Sequence, residues 1–257
     1  MPPLARHTRF SSARSRSAGA LTWTYAVRAR CSPGYSTDEV ADMRVAVLGT
    51  GQVGRRLASK LVEVGHTVTM GSRTADNADA TAWAAETGGA HGTFADAAAD
   101  ADVIVNATSG TVSLAALTAA GADNLRGKVV VDVSNPLDFS QGFPPKLVVP
   151  EAGSVAESLQ AAFPDAFVVK TLNTTNNQVM VDPGRIPGKH SIFLSGDDAA
   201  AKKTVTELLL AFGWAPDQLI DLGPLHTARS TEPMVLLWVS LFQALGTEDV
   251  NIGVFTA

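Results

Sequence analysis

Gly49-Thr50-Gly51-Gln52-Val53-Gly54 constrains the fold of this chain more than any other segment. Taken alone, a G-x-G-x-x-G pattern is weak evidence, because glycine is common and the pattern is short. Its setting makes it informative. Arg44 to Leu48 reads as a buried strand, and Gln52 to Val64 as a helix that Gly65 stops. His66 to Met70 reads as the next strand and completes a βαβ unit. In such a unit Gly49 permits the tight turn, Gly51 the close approach of a pyrophosphate, and Gly54 the packing of helix on strand. Gln52 and Val53 open the helix, whose free N–H groups and positive dipole end suit phosphate. The motif points to a dinucleotide site on a Rossmann-type fold.

The end of the second strand discriminates between dinucleotides. A site for NAD places Asp or Glu there, about 20 residues on, to hold the ribose hydroxyls. Here the segment is Met70-Gly71-Ser72-Arg73-Thr74, and the first acid, Asp76, lies beyond the turn. Ser72 offers a hydroxyl and Arg73 a guanidinium fork suited to phosphate. A missing carboxylate and a present arginine predict a 2′-phosphate, hence NADP(H).

Downstream, short β-branched runs continue to alternate with Ala-rich helical stretches, the pattern of a parallel sheet covered by helices. Helices are expected over Asp76 to Glu86, Leu114 to Gly121 and Ala199 to Phe212. Strands are expected at Asp102 to Asn106, Lys128 to Val133, Phe167 to Thr171, Ser191 to Ser195 and Gln218 to Leu222. Ser230 to Leu245 is amphipathic and rich in large apolar residues, which predicts a docked helix with a capacity for homodimer contact. The expected fold is a doubly wound, mostly parallel α/β sheet with helices on both faces and this C-terminal helix docked on it. No repeat or Pro/Gly/Ser linker divides residues 43–257, so they read as one domain.

Residues 1–42 differ in kind. They hold six arginines and three acids, which leaves the remaining 215 residues with 14 basic and 22 acidic side chains, a net charge of −8. Three readings of this basic, Ser/Ala-rich extension stand: a leader, a disordered arm for an acidic partner, or sequence upstream of a natural start at Met43. We favour the last, because a convincing apolar run and cleavage site are missing. An overall charge of −5 gives no electrostatic footprint for nucleic acid or an anionic membrane. No run approaches the roughly 18 apolar residues of a membrane span, and a cytoplasmic protein is expected. Cys31 is the single cysteine, so neither a disulfide framework nor a Cys-based metal site is available.

Acid–base candidates are few. Tyr25 and Tyr35 both lie in the extension, which removes a Tyr-Lys acid pair from the body. His66 and His190 flank strands and read as surface residues, and His226 has no evident carboxylate partner. Lys170, at a strand end, reads either as an acid or as a solvated lysine. No catalytic residue and no metal ligand is assigned. Hydride transfer between two organic cofactors needs no strong protein acid or base, which suits this scarcity.

Met43 to about Phe255 resembles the coenzyme F420-dependent NADP oxidoreductase (NADPH:F420 reductase) family. The resemblance is carried by Val47-Leu48 with the glycine motif, by Gly71-Ser72-Arg73, and by Asp132-Val133-Ser134-Asn135-Pro136-Leu137-Asp138. Lys170-Thr171-Leu172-Asn173-Thr174, Ser195-Gly196-Asp197-Asp198 and Glu232-Pro233-Met234-Val235-Leu236-Leu237-Trp238 add to it. It implies that Thr50, Ser72 and Arg73 bind NADP phosphates. It also implies that Asn106, Ala107 and Thr108, with Asn135 and Pro136, line the nicotinamide. Coenzyme F420, a deazaflavin, would stack near Asn173, Thr174, Thr175, Asn177 and Met234. Two departures stand out. Asn77 occupies the place of a lysine that adds a phosphate contact in the family's best-described reductases, and Asn173 to Asn177 replaces an apolar wall.

The expected function is therefore hydride transfer between NADPH and a small-molecule redox co-substrate, coenzyme F420. The alternative enzyme reduces a flavin, a ferric chelate or a small imine or carbonyl compound. A non-catalytic NADP(H)-binding sensor or regulatory subunit is the alternative of another class. Removal of residues 1–42 is expected to leave the melting temperature and NADPH affinity unchanged, since they carry little apolar surface to pack on the body. A melting temperature lower by more than a few degrees would overturn that boundary.

Overall fold

Apolar residues on both faces of a strand require cover on both sides, and the strands of this chain have it. A computed structural model of the chain describes residues 42–256. The first half runs β1 (Arg44–Leu48), α1 (Gln52–Glu63), β2 (Thr67–Ser72), α2 (Ala78–Thr87), β3 (Ala90–Thr93), α3 (Phe94–Ala99), β4 (Val103–Asn106), α4 (Ser113–Ala120), the single turn α5 (Ala122–Leu125) and β5 (Val129–Asp132). A small hairpin follows, β6 (Leu137–Asp138) with β7 (Lys146–Leu147), then α6 (Val155–Ala162), β8 (Phe167–Lys170) and α7 (Asn177–Val181). The chain closes with β9 (Ile192–Gly196), α8 (Ala199–Ala211), β10 (Leu219–Asp221), the short α9 (Ala228–Thr231) and α10 (Met234–Leu245). The expectations for the extension lie outside the described residues.

The main sheet has the order β10-β9-β8-β5-β4-β1-β2-β3. Every neighbouring pair is parallel except β8 with β9. The crossover from β3 back across β1 to β4 creates a switch point at the C-terminal ends of β1 and β4, where doubly wound sheets open a crevice. Alternation along β1 shows how the layers form: Val45 and Val47 join one core, Ala46 and Leu48 the other. Helices α1, α2, α7 and α8 cover the first face; α3, α4 and α6 cover the second. Among the described residues no helix is long and apolar enough to cross a membrane.

The observed sheet is the expected mostly parallel, doubly wound one, with several local differences. The second strand runs on to Ser72, and β3, α3, α6, α7 and the hairpin extend the predicted set. His66 and His190 are buried rather than on the surface. Ser191 N donates to the Ile252 carbonyl, so the returning C-terminal segment roofs His190, which sits edge-on to Trp214. His66 packs at the foot of β2, where Nδ1 accepts from Met43 N (3.4 Å).

Burial pushes the His66 imidazole below its ordinary value of 6.5, against the opposing pull of Asp42. The folded chain thus binds this proton less readily than the unfolded chain, and stability is lost as pH falls through the unfolded value. The melting temperature is expected to drop between pH 7.5 and 5.5, and to drop less in His66→Asn. Identical pH profiles for the two proteins would contradict this origin.

Candidate active site

At the switch point the ends of β1, β2 and β4 open on a cleft of about 740 Å³. Gly49 leaves β1 with φ +118°, and a Cβ there would stand 2.7 Å from the Ala107 carbonyl oxygen. A Cβ on Gly54 would lie 2.0 Å from the Gly49 carbonyl oxygen. Both glycines are therefore demanded by backbone approach. Gly51 is different: nothing lies within 4 Å of its Cβ position, which faces open space. It caps α1 without a side-chain hydrogen bond, and the first turn holds no acid. The leading N–H groups of α1 and its dipole are thus unopposed by any local carboxylate.

On the β2 side, Ser72, Arg73 and Asn77 line the cleft. Ser72 is buried and its hydroxyl donates to the Thr74 carbonyl, which closes the turn. Arg73 is exposed and enters none of the ion pairs found among the described residues. Asn77 caps α2 by accepting from Ala80 N (3.0 Å). Thr93 and Phe94 complete this wall, with Thr93 and Asp96 forming a reciprocal capping box that sequence spacing alone displays.

On the β4 side the lining is Ala107, Thr108 and Ser109, followed by small residues of α4. Asn106 does not reach the cleft. It is fully buried, donates from Nδ2 to Asp132 Oδ1 (2.8 Å) and accepts from Thr108 Oγ1 (2.7 Å). Asn135 and Pro136 stand behind Gly110, whose N–H donates to the Asn135 carbonyl (3.0 Å). Of the expected nucleotide residues, Gly49, Thr50, Gly51, Ser72, Arg73, Ala107 and Thr108 meet in one cleft, whereas Gln52, Val53, Gly54, Asn106, Asn135 and Pro136 shape its surroundings.

Lys170 is neither an available acid nor solvated. Its ammonium is wholly buried against Asp132 (2.9 Å), Glu232 (2.9 Å) and the Ser134 carbonyl (2.5 Å). Leu172, two residues on, takes φ +61°, a left-handed conformation that costs a leucine roughly 1–2 kcal/mol. That bend brings Asn173 to Asn135: each amide donates to the other residue, at 2.7 and 3.0 Å. Asn173 also donates to the Thr231 carbonyl (3.0 Å).

The expected acceptor residues are not gathered on one open surface. Asn173, Thr174 and Thr175 are buried, and Thr175 Oγ1 donates to the Val250 carbonyl (3.3 Å). Asn177 faces a separate groove that it shares with Gln52, Arg55 and Arg56. Met234 is half-buried at the start of α10. His226 is exposed and does not line the cleft.

Residues 44–136 match the family model described as NADP oxidoreductase, coenzyme F420-dependent. The F420-dependent NADP reductase of Methanocaldococcus jannaschii is 30% identical over 210 residues, which cover 77% of this chain and 92% of that protein. The chain belongs to the coenzyme F420-dependent NADP oxidoreductase family. As a member it is an NADP(H)-binding oxidoreductase. A crystal structure from Arthrobacter sp. FB24, named for F420-dependent NADP reductase, is 49% identical, with a TM-score of 0.78 over 83% of this chain and all of that one. The metalloreductase STEAP3 of Rattus norvegicus is 33% identical over 193 residues, but the chain spans only 36% of its length.

The second and third glycines of the motif give a test that separates fold from site. Gly54→Ala must displace backbone and is expected to destabilise by about 1–3 kcal/mol or more. Gly51→Ala is expected to keep the wild-type melting temperature while weakening NADP(H) binding at least tenfold. Thermal melts and calorimetric titration read both. Full affinity in a stable Gly51→Ala protein would remove the pyrophosphate from this turn.

Proposed function

We propose that this family member transfers a hydride between NADPH and coenzyme F420, with NADP(H) held in the cleft at the switch point. One observation carries the reading. Arg73 is the single ionisable side chain among the residues lining the cleft. A reaction that depends on a protein acid or base finds no such group there, whereas hydride exchange between two ring systems asks mainly for alignment.

The residues fit the cofactor. The open Cβ position of Gly51 and the leading N–H groups of α1 suit a pyrophosphate. Arg73 suits a 2′-phosphate, and Asn77 supplies a neutral neighbour where a second cation would strengthen the contact. When bound, NADPH supplies the hydride at its nicotinamide. The chain's own contribution is to hold that ring against Ala107 to Ser109 and to keep the loops after β4 and β5 locked through Gly110. The deazaflavin is proposed to stack near Met234 at the start of α10, with buried Asn173, Thr174 and Thr175 as the support behind it and Asn177 on the groove beyond. The chain is read as cytoplasmic, and exposed Leu237 and Leu245 on α10 as contacts for a second copy.

NADPH is expected to bind at least tenfold more tightly than NADH. Arg73→Glu is expected to cost on the order of 2–4 kcal/mol with NADPH and far less with NADH. Titration of both cofactors checks this, and equal losses would refute the phosphate contact. Steady-state oxidation of NADPH with F420, FMN, ferric chelate or a cyclic imine tests the acceptor. Brisk turnover with F420 and slow turnover with the rest is the expected pattern. The reverse order would favour the alternative reductase, for which the STEAP3 match is the specific support. Binding without turnover on any acceptor would favour a sensor.

A further inference from the structure

The side chains around Lys170 form a closed polar cluster at the C-terminal edge of the sheet, beside the end of the cleft built by β4. Lys170 contributes one formal positive charge. Asp132 and Glu232 contribute two negative ones, and all three side chains are at most 3% exposed. Every carboxylate oxygen faces donors. Asp132 Oδ1 accepts from Asn106 Nδ2 (2.8 Å) and Ser134 N (3.1 Å), and Oδ2 accepts from Lys170. Glu232 Oε2 accepts from Val155 N (2.9 Å), and Oε1 from Ala156 N (3.3 Å) and Lys170. A protonated carboxyl would need an acceptor for its hydrogen, and the contacts of these four oxygens are all donors. Glu232 also caps the N-terminus of α6, where the helix dipole favours an anion. The cluster therefore holds a formal charge of −1 out of reach of solvent.

That charge adjoins the cleft. Thr108 lines it and donates to Asn106 Oδ1 (2.7 Å), and Asn106 donates onward to Asp132 (2.8 Å). Two hydrogen bonds thus separate the cleft wall from the buried anion. The nicotinamide ring of NADP+ carries a positive charge that NADPH lacks.

We infer that the buried Lys170–Asp132–Glu232 cluster biases the cofactor site electrostatically toward NADP+, and so favours NADPH as hydride donor. The inference rests on the assignment of NADP(H) to this cleft with its nicotinamide at the β4 end. A unit charge about 10 Å away, at an effective dielectric of 20 to 40, changes an equilibrium about four- to fifteenfold.

Glu232→Gln and Asp132→Asn each remove one negative charge while keeping shape, and they do so from different elements, so either alone suffices. Calorimetric titration of NADP+ and NADPH gives the ratio of the two dissociation constants without any turnover. The ratio Kd(NADP+)/Kd(NADPH) is expected to rise about fourfold or more in each variant. The double variant Lys170→Met/Glu232→Gln restores the formal charge of −1 and is expected to bring the ratio back toward wild type. A purely structural cluster would weaken both forms alike. A ratio changed less than twofold in folded variants overturns the bias. Failure of the unaltered chain to bind either form would instead overturn the assignment of the cleft itself.

Discussion

The close approach of three backbones at the switch point governs everything built above it. The Gly49 turn presses on the Ala107 carbonyl, and Gly54 presses on Gly49. Neither contact tolerates a Cβ. Because β1 and β4 are neighbours in the sheet, their two exits must share one small volume, and only glycine lets both chains leave in the directions they take. The same crowding sets the N-terminus of α1 at the mouth of the cleft. An open helix N-terminus facing the cleft is thus a geometric consequence of how the strand ends pack, and the loop after β4 is fixed as the opposite wall.

A second layer of constraint is polar. The loop after β5 is bound to the loop after β4 through Gly110, and to the loop after β8 through the Asn135–Asn173 amide pair. Beneath these, Asp132 and Lys170 face each other across paired strands, and Glu232 draws in the start of the tail. Loss of one partner from such a buried set leaves an uncompensated charge, a loss of about 3–5 kcal/mol in comparable cases. The cluster is therefore a rigid foundation rather than a reservoir of reactive groups, whatever field it casts on the cleft.

What the sequence displayed and what it concealed follow from range. The β1–α1–β2 unit, the absent acid and Arg73 are local patterns, and the structure puts Gly49, Gly51 and Arg73 at one cleft. The strand α/β alternation was legible for the same reason. Phe94 to Ala99 was not, because an alanine-rich run carries little periodicity and its capping box at Thr93 and Asp96 is the only local mark. The short hairpin and α7 are held mainly by tertiary contacts, which no window of residues contains. Lys170 shows the limit most plainly: its partners lie 38 and 62 residues away, so a strand-end lysine that reads either as an acid or as solvated is in fact among the most buried side chains of the described residues.

The asparagine-rich segment illustrates how polarity can serve position. Asn176 caps α7 and donates to the Glu248 carbonyl, Thr175 reaches Val250, and Asn173 reaches Thr231. Each amide or hydroxyl fastens a different part of the tail to the end of β8. A segment used in this way cannot also offer a continuous apolar wall to a flat ring. Trp238 adds its own tie to Val250, the carbonyl that Thr175 also reaches, and stacks on Phe242, so α10 carries an aromatic pair linked to the same stretch of tail. For a hydride acceptor on the proposed function, apolar contact must then come from the tail helix, while the polar segment beneath holds that helix in place. On that reading the site has to align two rings rather than move a proton, which agrees with polar groups engaged in holding loops and with Arg73 as the one ionisable side chain among the cleft-lining residues.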